Sequence, residues 1–283
     1  VSLFLLRPSQ PLTEIILGTL GRAQRLTGMR ICAFVYLSNH CHLLLRPTDA
    51  AQLSNFMRYL NSNIAREAGR LHNWREKLWG RRYFDIKVSH EPEAQVAGLR
   101  YILEQGVKEH LVASPLHWPG ASSTAHLTRG EPLRGVWVDR TSQYRARLTG
   151  KPARDDLFCA SESIELTPLP CWEQLSEARR QAMVRAYVRQ IVREHERRRA
   201  GPQGLGKRAI LEQNPHDRPA HVKRSPGPRF RAKSRKVRKA LERSYLLFHL
   251  SYRQATKDLK AGKEALFPPG SFPAPGRFVP LRT

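Results

Sequence analysis

His40 and His42 stand one residue apart within AFVYLSNHCHLLLRP, residues 33–47. Two short apolar runs broken at Ser38-Asn39 are the pattern of a β-hairpin. Alternate side chains on a strand share a face, so the two imidazoles project together, roughly 7 Å apart along the strand. Cys41, Leu43 and Leu45 fill the opposite face. Two imidazoles on a rigid strand can hold one divalent metal, provided a third ligand arrives from elsewhere. Tyr101 and Gln105 lie four residues apart in a helical stretch, which puts a phenol and an amide oxygen on one side of a helix. Beside the histidines these would be a nucleophile and a third metal ligand. Plainer alternatives stay open: a histidine pair decorating an exposed sheet face, and a tyrosine packed at a helix–sheet boundary with an exposed glutamine.

The elements that must position these residues have clear signals. Pro11-Leu12-Thr13-Glu14 starts a helix, Leu12, Ile15, Ile16, Thr19, Leu20 and Ala23 recur at helical spacing, and Gly28 is suited to close it. Thr48-Asp49 caps a second helix with Leu53, Phe56, Met57, Leu60 and Ile64 on its apolar face. Arg58 and Asn61 lie on its polar face, where they suit phosphate contacts or simply face solvent. WREKLWGRR, residues 74–82, puts Trp74, Arg75, Arg81 and Arg82 together, and aromatics beside cations suit single-stranded nucleic acid. The tryptophans could equally be core anchors. A strand is expected over Tyr83–Val88, and the helix carrying Tyr101 begins at Glu91-Pro92-Glu93.

From about Trp118 the character changes, and we divide the chain into a first unit, 1–125, and a basic, mainly helical extension, 126–283. Residues 127–170 read as irregular, apart from a strand at Gly135–Asp139. Leu175–Arg199 reads as a long basic helix, residues 200–228 as a linker, and Phe230–Arg243 as a dense basic run leading into an amphipathic helix. Arg231, Lys233, Arg235 and Lys236 of that run are candidates for gripping phosphates, which gives affinity without sequence information.

The chain carries 49 Lys and Arg against 24 Asp and Glu, a net charge of +25, which points to a polyanionic partner, nucleic acid first. No apolar run approaches the roughly 20 residues of a membrane span, and VSLFLLRPS is too short and wrongly flanked for a signal peptide. Cys32, Cys41, Cys159 and Cys171 form no CxxC pair and are expected as reduced thiols in a cytoplasmic protein.

LSNHCHLLLRP, RYFDIKV and RYILEQGVKEHLVASPLHWPGAS together resemble the REP-associated and insertion-sequence single-tyrosine transposases over about residues 1–125. The resemblance makes His40 and His42 the metal-binding histidines, Tyr101 the nucleophile and Gln105 the third ligand. Gln105-Gly106 stands where many relatives have Asn-Pro, and Cys41 stands where Val or Tyr is usual. The implied class is α+β: the HUH endonuclease fold, a ferredoxin-like antiparallel sheet with helices on one face and Tyr101 brought over the metal. The family's sheet starts with a strand upstream of VSLFLL, so this stretch is expected to lack it. The implied reaction is cleavage and rejoining of single-stranded or hairpin DNA through a 5′-phosphotyrosine with Mg²⁺ or Mn²⁺. No membrane partner is implied, and monomer and homodimer both remain open. The alternative is a catalytically degenerate relative that binds nucleic acid and regulates; an unrelated basic RNA-binding protein would need Tyr101 and Gln105 far from the histidines.

Overall fold

Ser9 opens the first helix, α1 (Gln10–Thr27), by accepting a hydrogen bond from the Leu12 amide, with Pro11 in the first turn where no N–H is needed. Gly28 closes it in the left-handed region at φ 65°. The hairpin follows as β1 (Arg30–Tyr36) and β2 (Cys41–Arg46), and then α2 (Ala50–Leu71), capped by the Asp49 carboxylate on the Gln52 amide. Next come β3 (Lys87–Val88), α3 (Pro92–Leu103), α4 (Gln105–Lys108), α5 (Thr124–Arg129), β4 (Arg134–Val138), α6 (Arg140–Leu148) and β5 (Cys159–Ser163). The last elements are α7 (Glu177–Arg198), α8 (Lys207–Glu212), β6 (Phe230–Arg231) and α9 (Arg235–Lys260). This is a computed structural model that describes residues 3–80, 82–149, 154–198, 204–220 and 229–272.

The α+β class holds. Among the described residues the sheets are two-stranded: β1–β2 and β4–β5 antiparallel, β3–β6 parallel. Among the described residues the second edge of β1 carries single bridges, Val35 to Ser122 and Ile31 to Leu166, instead of a further strand.

Every residue of β1 from Ile31 to Tyr36 is buried, so both faces of the hairpin are covered. The register slips between Ile31 and Ala33, leaving Cys32 as an extra residue. Such a bulge shifts the alternation by one, which lets Ile31 share a face with Phe34 and Tyr36. That face, with Cys41, Leu43 and Leu45, packs on Leu12, Ile16 and Leu20 of α1 and Phe56, Leu60 and Ile64 of α2. The other face, with Ala33, Val35 and Leu44, packs on Leu99, Ile102 and Leu103 of α3, backed by Val184, Val188 and Ile191 of α7. Helices therefore lie on both faces of the hairpin, not on one as expected, because a strand apolar on both sides must be covered twice.

Residues beyond 125 join both cores: Leu133 and Ile164 the first, and α7 the second. A Cβ at Gly18 of α1 would run into the Val136 carbonyl, so β4 lies directly on the helix backbone there. Buried Glu162 of β5 ties the same helix through Arg22 at 3.0 Å and Arg25 at 2.8 Å.

Three further expectations are corrected. The strand over Tyr83–Val88 is confined to Lys87–Val88, because its ladder partner among the described residues is the two-residue β6. Residues 127–170, read as irregular apart from a strand at Gly135–Asp139, do form that strand as β4 but also hold the end of α5, α6 and β5; α6 buries only Gln143 and is started by the Asp139 carboxylate on the Ser142 amide. The linker contains α8, anchored by buried Ile210. Among the described residues no helix is long and apolar enough to cross a membrane.

Candidate active site

The hairpin turn is tight, with the Leu37 amide donating to the His40 carbonyl at 2.8 Å. His40 ends this turn and His42 lies inside β2, and their ring centroids are 5.0 Å apart at 88°. His42 is on the face opposite Cys41 and Leu43, and that face meets α3. The Tyr101 ring meets His42 there, centroids 5.2 Å apart at 85°. Helix α3 breaks after Leu103, yet Gln105 stays one turn beyond Tyr101: its buried amide donates from Nε2 to the Tyr101 carbonyl at 2.6 Å. This bond uses the nitrogen end and leaves Oε1 as the acceptor on the side of His42.

Burial holds both imidazoles neutral. His42 is lowered to about 3, first by desolvation, then by the charge His40 would carry if protonated and by the cations Lys108 and Arg231, with a hydrogen bond to the Gln105 side chain pulling the other way. His40 is also lowered by burial, partly offset by the Glu109 carboxylate. Nδ1 of His40 lies 2.6 Å from Oδ1 of Asn39. An amide oxygen can only accept, so this contact places the proton on Nδ1 and leaves Nε2 with its lone pair. Although Gln105 lies beside His42, Nε2 of His42 is buried without a hydrogen-bond partner.

A buried imidazole nitrogen left unpaired, beside a second neutral imidazole and an amide oxygen, fits a divalent ion bound by nitrogen and oxygen donors. Among the described residues no three His, Cys, Asp or Glu side chains gather for a metal, so an amide is the third donor at hand.

The Tyr101 ring also carries two cations. Nζ of Lys108 lies 4.7 Å and Cζ of Arg231 lies 4.8 Å from its centroid. Lys108 escaped the sequence reading, although Tyr101, Gln105 and Lys108 follow the i, i+4, i+7 spacing of one helix side. Asn39 escaped it too; its signal was a short polar side chain next to a histidine. Arg231 was expected only as a general phosphate contact, and its pairing with the tyrosine spans too much sequence to leave a local trace.

The other candidates lie apart from this cluster. Arg58 is exposed on α2 beside Asn55, and the Asn61 carbonyl accepts from the Trp79 indole at 2.8 Å. Trp74 is packed on the first core, and with Trp79, Arg66, Arg75 and Lys77 it lines a cavity of about 560 Å³. Arg75 is exposed; so is Arg82, whose guanidinium lies over Tyr83 at 5.5 Å. Arg81 falls outside the described residues. Lys233, Arg235 and Lys236 expose their side chains around the start of α9.

Residues 9–105 match the family model described as "Transposase IS200 like". The matched stretch holds His40, His42, Tyr101 and Gln105 and ends before Lys108 and Arg231. No curated protein and no solved structure matches the chain.

Proposed function

With residues 9–105 belonging to the IS200-like transposases, we propose that this chain cuts and rejoins single-stranded DNA, at hairpins, using Tyr101 as its nucleophile. The observation that carries this reading is the meeting of His42, on a strand, with His40 on one side and Tyr101 of a distant helix on the other, at 5.0 and 5.2 Å. A net charge of +25 supports a polyanionic substrate. The antiparallel hairpin, with α1 and α2 over its first core face, supports placing it in the ferredoxin-like sheet of the HUH fold.

In this reading the Tyr101 phenol gives up its proton to solvent and its oxygen bonds to the phosphorus of a phosphodiester. The bond from phosphorus to the 3′ oxygen breaks, leaving a 5′-phosphotyrosyl link and, after protonation, a free 3′-hydroxyl. Attack by another 3′-hydroxyl reverses the step and joins strands. His40, His42 and Gln105 would hold Mg²⁺ or Mn²⁺, which when bound supplies Lewis-acid polarisation of the phosphate. Asn39 fixes the His40 tautomer for that purpose, and the bond from Gln105 to the Tyr101 carbonyl couples the third ligand to the turn that bears the nucleophile.

The test is incubation with labelled hairpin DNA and Mn²⁺, followed by a denaturing gel beside Tyr101→Phe. A covalent adduct that needs metal and vanishes in the variant is expected. Salt-sensitive binding without an adduct, across varied hairpins, would replace this reading with that of a nucleic-acid-binding relative.

A further inference from the structure

Arg231 belongs to a segment far beyond the matched family stretch, yet it is fixed onto the tyrosine helix from several sides. The Lys87 amide donates to the Arg229 carbonyl at 3.1 Å, and the Ser89 amide to the Arg231 carbonyl at 2.9 Å. The Glu91 carboxylate, at the start of α3, accepts from the amides of Lys233 at 2.8 Å and Ser234 at 2.9 Å. The Arg231 stem then crosses α3 at Gly98, and Nη1 donates to the Ala97 carbonyl at 2.8 Å, one turn before Tyr101. One guanidinium N–H is thus used to aim the group, and a fork of further donors remains.

Lys108 reaches the same ring from α4, an element independent of that segment. Among the described residues neither cation is paired with a carboxylate. Two like charges held against one aromatic ring repel each other, and a neutral ring only partly compensates. An arrangement of this kind is relieved by an anion, and the phenol it surrounds is the group that must meet a phosphodiester.

We propose that Arg231 and Lys108 are the two arms of a grip on the scissile phosphate, so that the segment around β6 completes the active site begun by residues 9–105. This rests on the reading of Tyr101 as the nucleophile. The guanidinium suits two phosphate oxygens at once and the ammonium a third. Both charges would act on the negative charge that grows as the phosphoryl group transfers.

The experiment uses the full chain, hairpin DNA and Mn²⁺, and compares Arg231→Gln, Lys108→Gln, Arg231→Lys and Arg208→Gln, the last an exposed cation paired within its own helix. At saturating DNA, each Gln variant at Arg231 or Lys108 should lower the rate of adduct formation by roughly 100-fold. Arg231→Lys should recover part of this, and Arg208→Gln should match the wild type. Thermal melts identify any variant that has lost its fold, and Lys108→Gln keeps the test intact if Arg231→Gln undocks the segment. Wild-type rates at saturation in both Gln variants would overturn the grip, even with weakened DNA binding, because the cations would then hold some other phosphate. If the wild type itself gives no Tyr101-dependent adduct, the cleavage reading fails separately. The grip is then judged by affinity: the double Gln variant should flatten the dependence of log affinity on log salt by about two ions, and an unchanged slope would overturn it.

Discussion

The rings of His42 and Tyr101 meet at 85° with centroids 5.2 Å apart, and the imidazole in that pair has a buried Nε2 with no hydrogen-bond partner. An unpaired buried nitrogen weakens the fold and suits ligation. His42→Leu is therefore expected to raise the unfolding free energy in EDTA by about 1 kcal/mol, while abolishing adduct formation. Urea denaturation measures the first effect. Adding Mn²⁺ should then stabilise the wild type in proportion to the logarithm of its concentration and leave the variant unmoved. A variant less stable than the wild type in EDTA would mean that the imidazole is held by packing rather than kept for a ligand.

Glu162 links β5 to α1, and its carboxyl is held below the usual 4.5, first by hydrogen bonding from Arg25 and then, against the cost of burial, by Arg22. A depressed carboxyl contributes stability that is full above the unfolded value and fades as pH falls through the folded one. The two arginines are partly exposed, which screens the pair, so Glu162→Gln should cost about 1–2 kcal/mol at pH 7. That difference should shrink as the pH is lowered from 7 to 3. Denaturation at both pH values checks it, and an equal difference at both would assign the loss to packing instead of charge.

Two helix glycines should respond in opposite directions to alanine. At Gly18 a Cβ would strike the backbone of Val136, so Gly18→Ala must push β4 off α1 and should cost about 1–3 kcal/mol or more. At Gly98 the nearest atoms to a new Cβ are Leu44 methyls at 3.6 and 3.9 Å and the Arg231 stem at 3.9 Å, all ordinary contacts. Gly98→Ala should stabilise by about 0.5–1 kcal/mol through helix propensity alone. Melting temperatures moving the same way in both variants would contradict this account of the α1–β4 contact.

Elements with local signals were legible in the sequence. α1 and α2 have apolar stripes and caps at Gly28 and Asp49, and the hairpin has its turn at Ser38-Asn39, so each is fixed by residues close in sequence. The juxtaposition of Tyr101 with His42 came from a resemblance and not from spacing, since nothing local joins a strand to a helix so far along the chain. Pairing of β3 with β6 was invisible for the same reason, and it is what carries Arg231 to the ring. α6 was missed because its sole buried residue is Gln143, so it has no apolar stripe; its one signal was the Asp139 cap. The second covering of the hairpin was missed because the Cys32 bulge hides which residues of β1 share a face.

The bond from His40 Nδ1 to Asn39 Oδ1, 2.6 Å, gives the remaining prediction. Asn39 only accepts there, so it keeps the His40 proton on Nδ1 and the lone pair on Nε2. Asn39→Ala removes that bias and lets the ring turn or change tautomer, both of which compete with ligation. Partners of this kind typically support metal affinity by 10–100-fold, and a loss of about 10-fold in Mn²⁺ affinity is expected. Asn39→Asp, which accepts in the same place with a full negative charge, should retain or raise the affinity. Electron paramagnetic resonance titration of free Mn²⁺ against each variant reads this directly, without DNA or turnover. Equal affinity in the wild type and Asn39→Ala would show that the imidazole is oriented by its burial alone, and the hydrogen bond would then be a feature of the turn and not of the metal site.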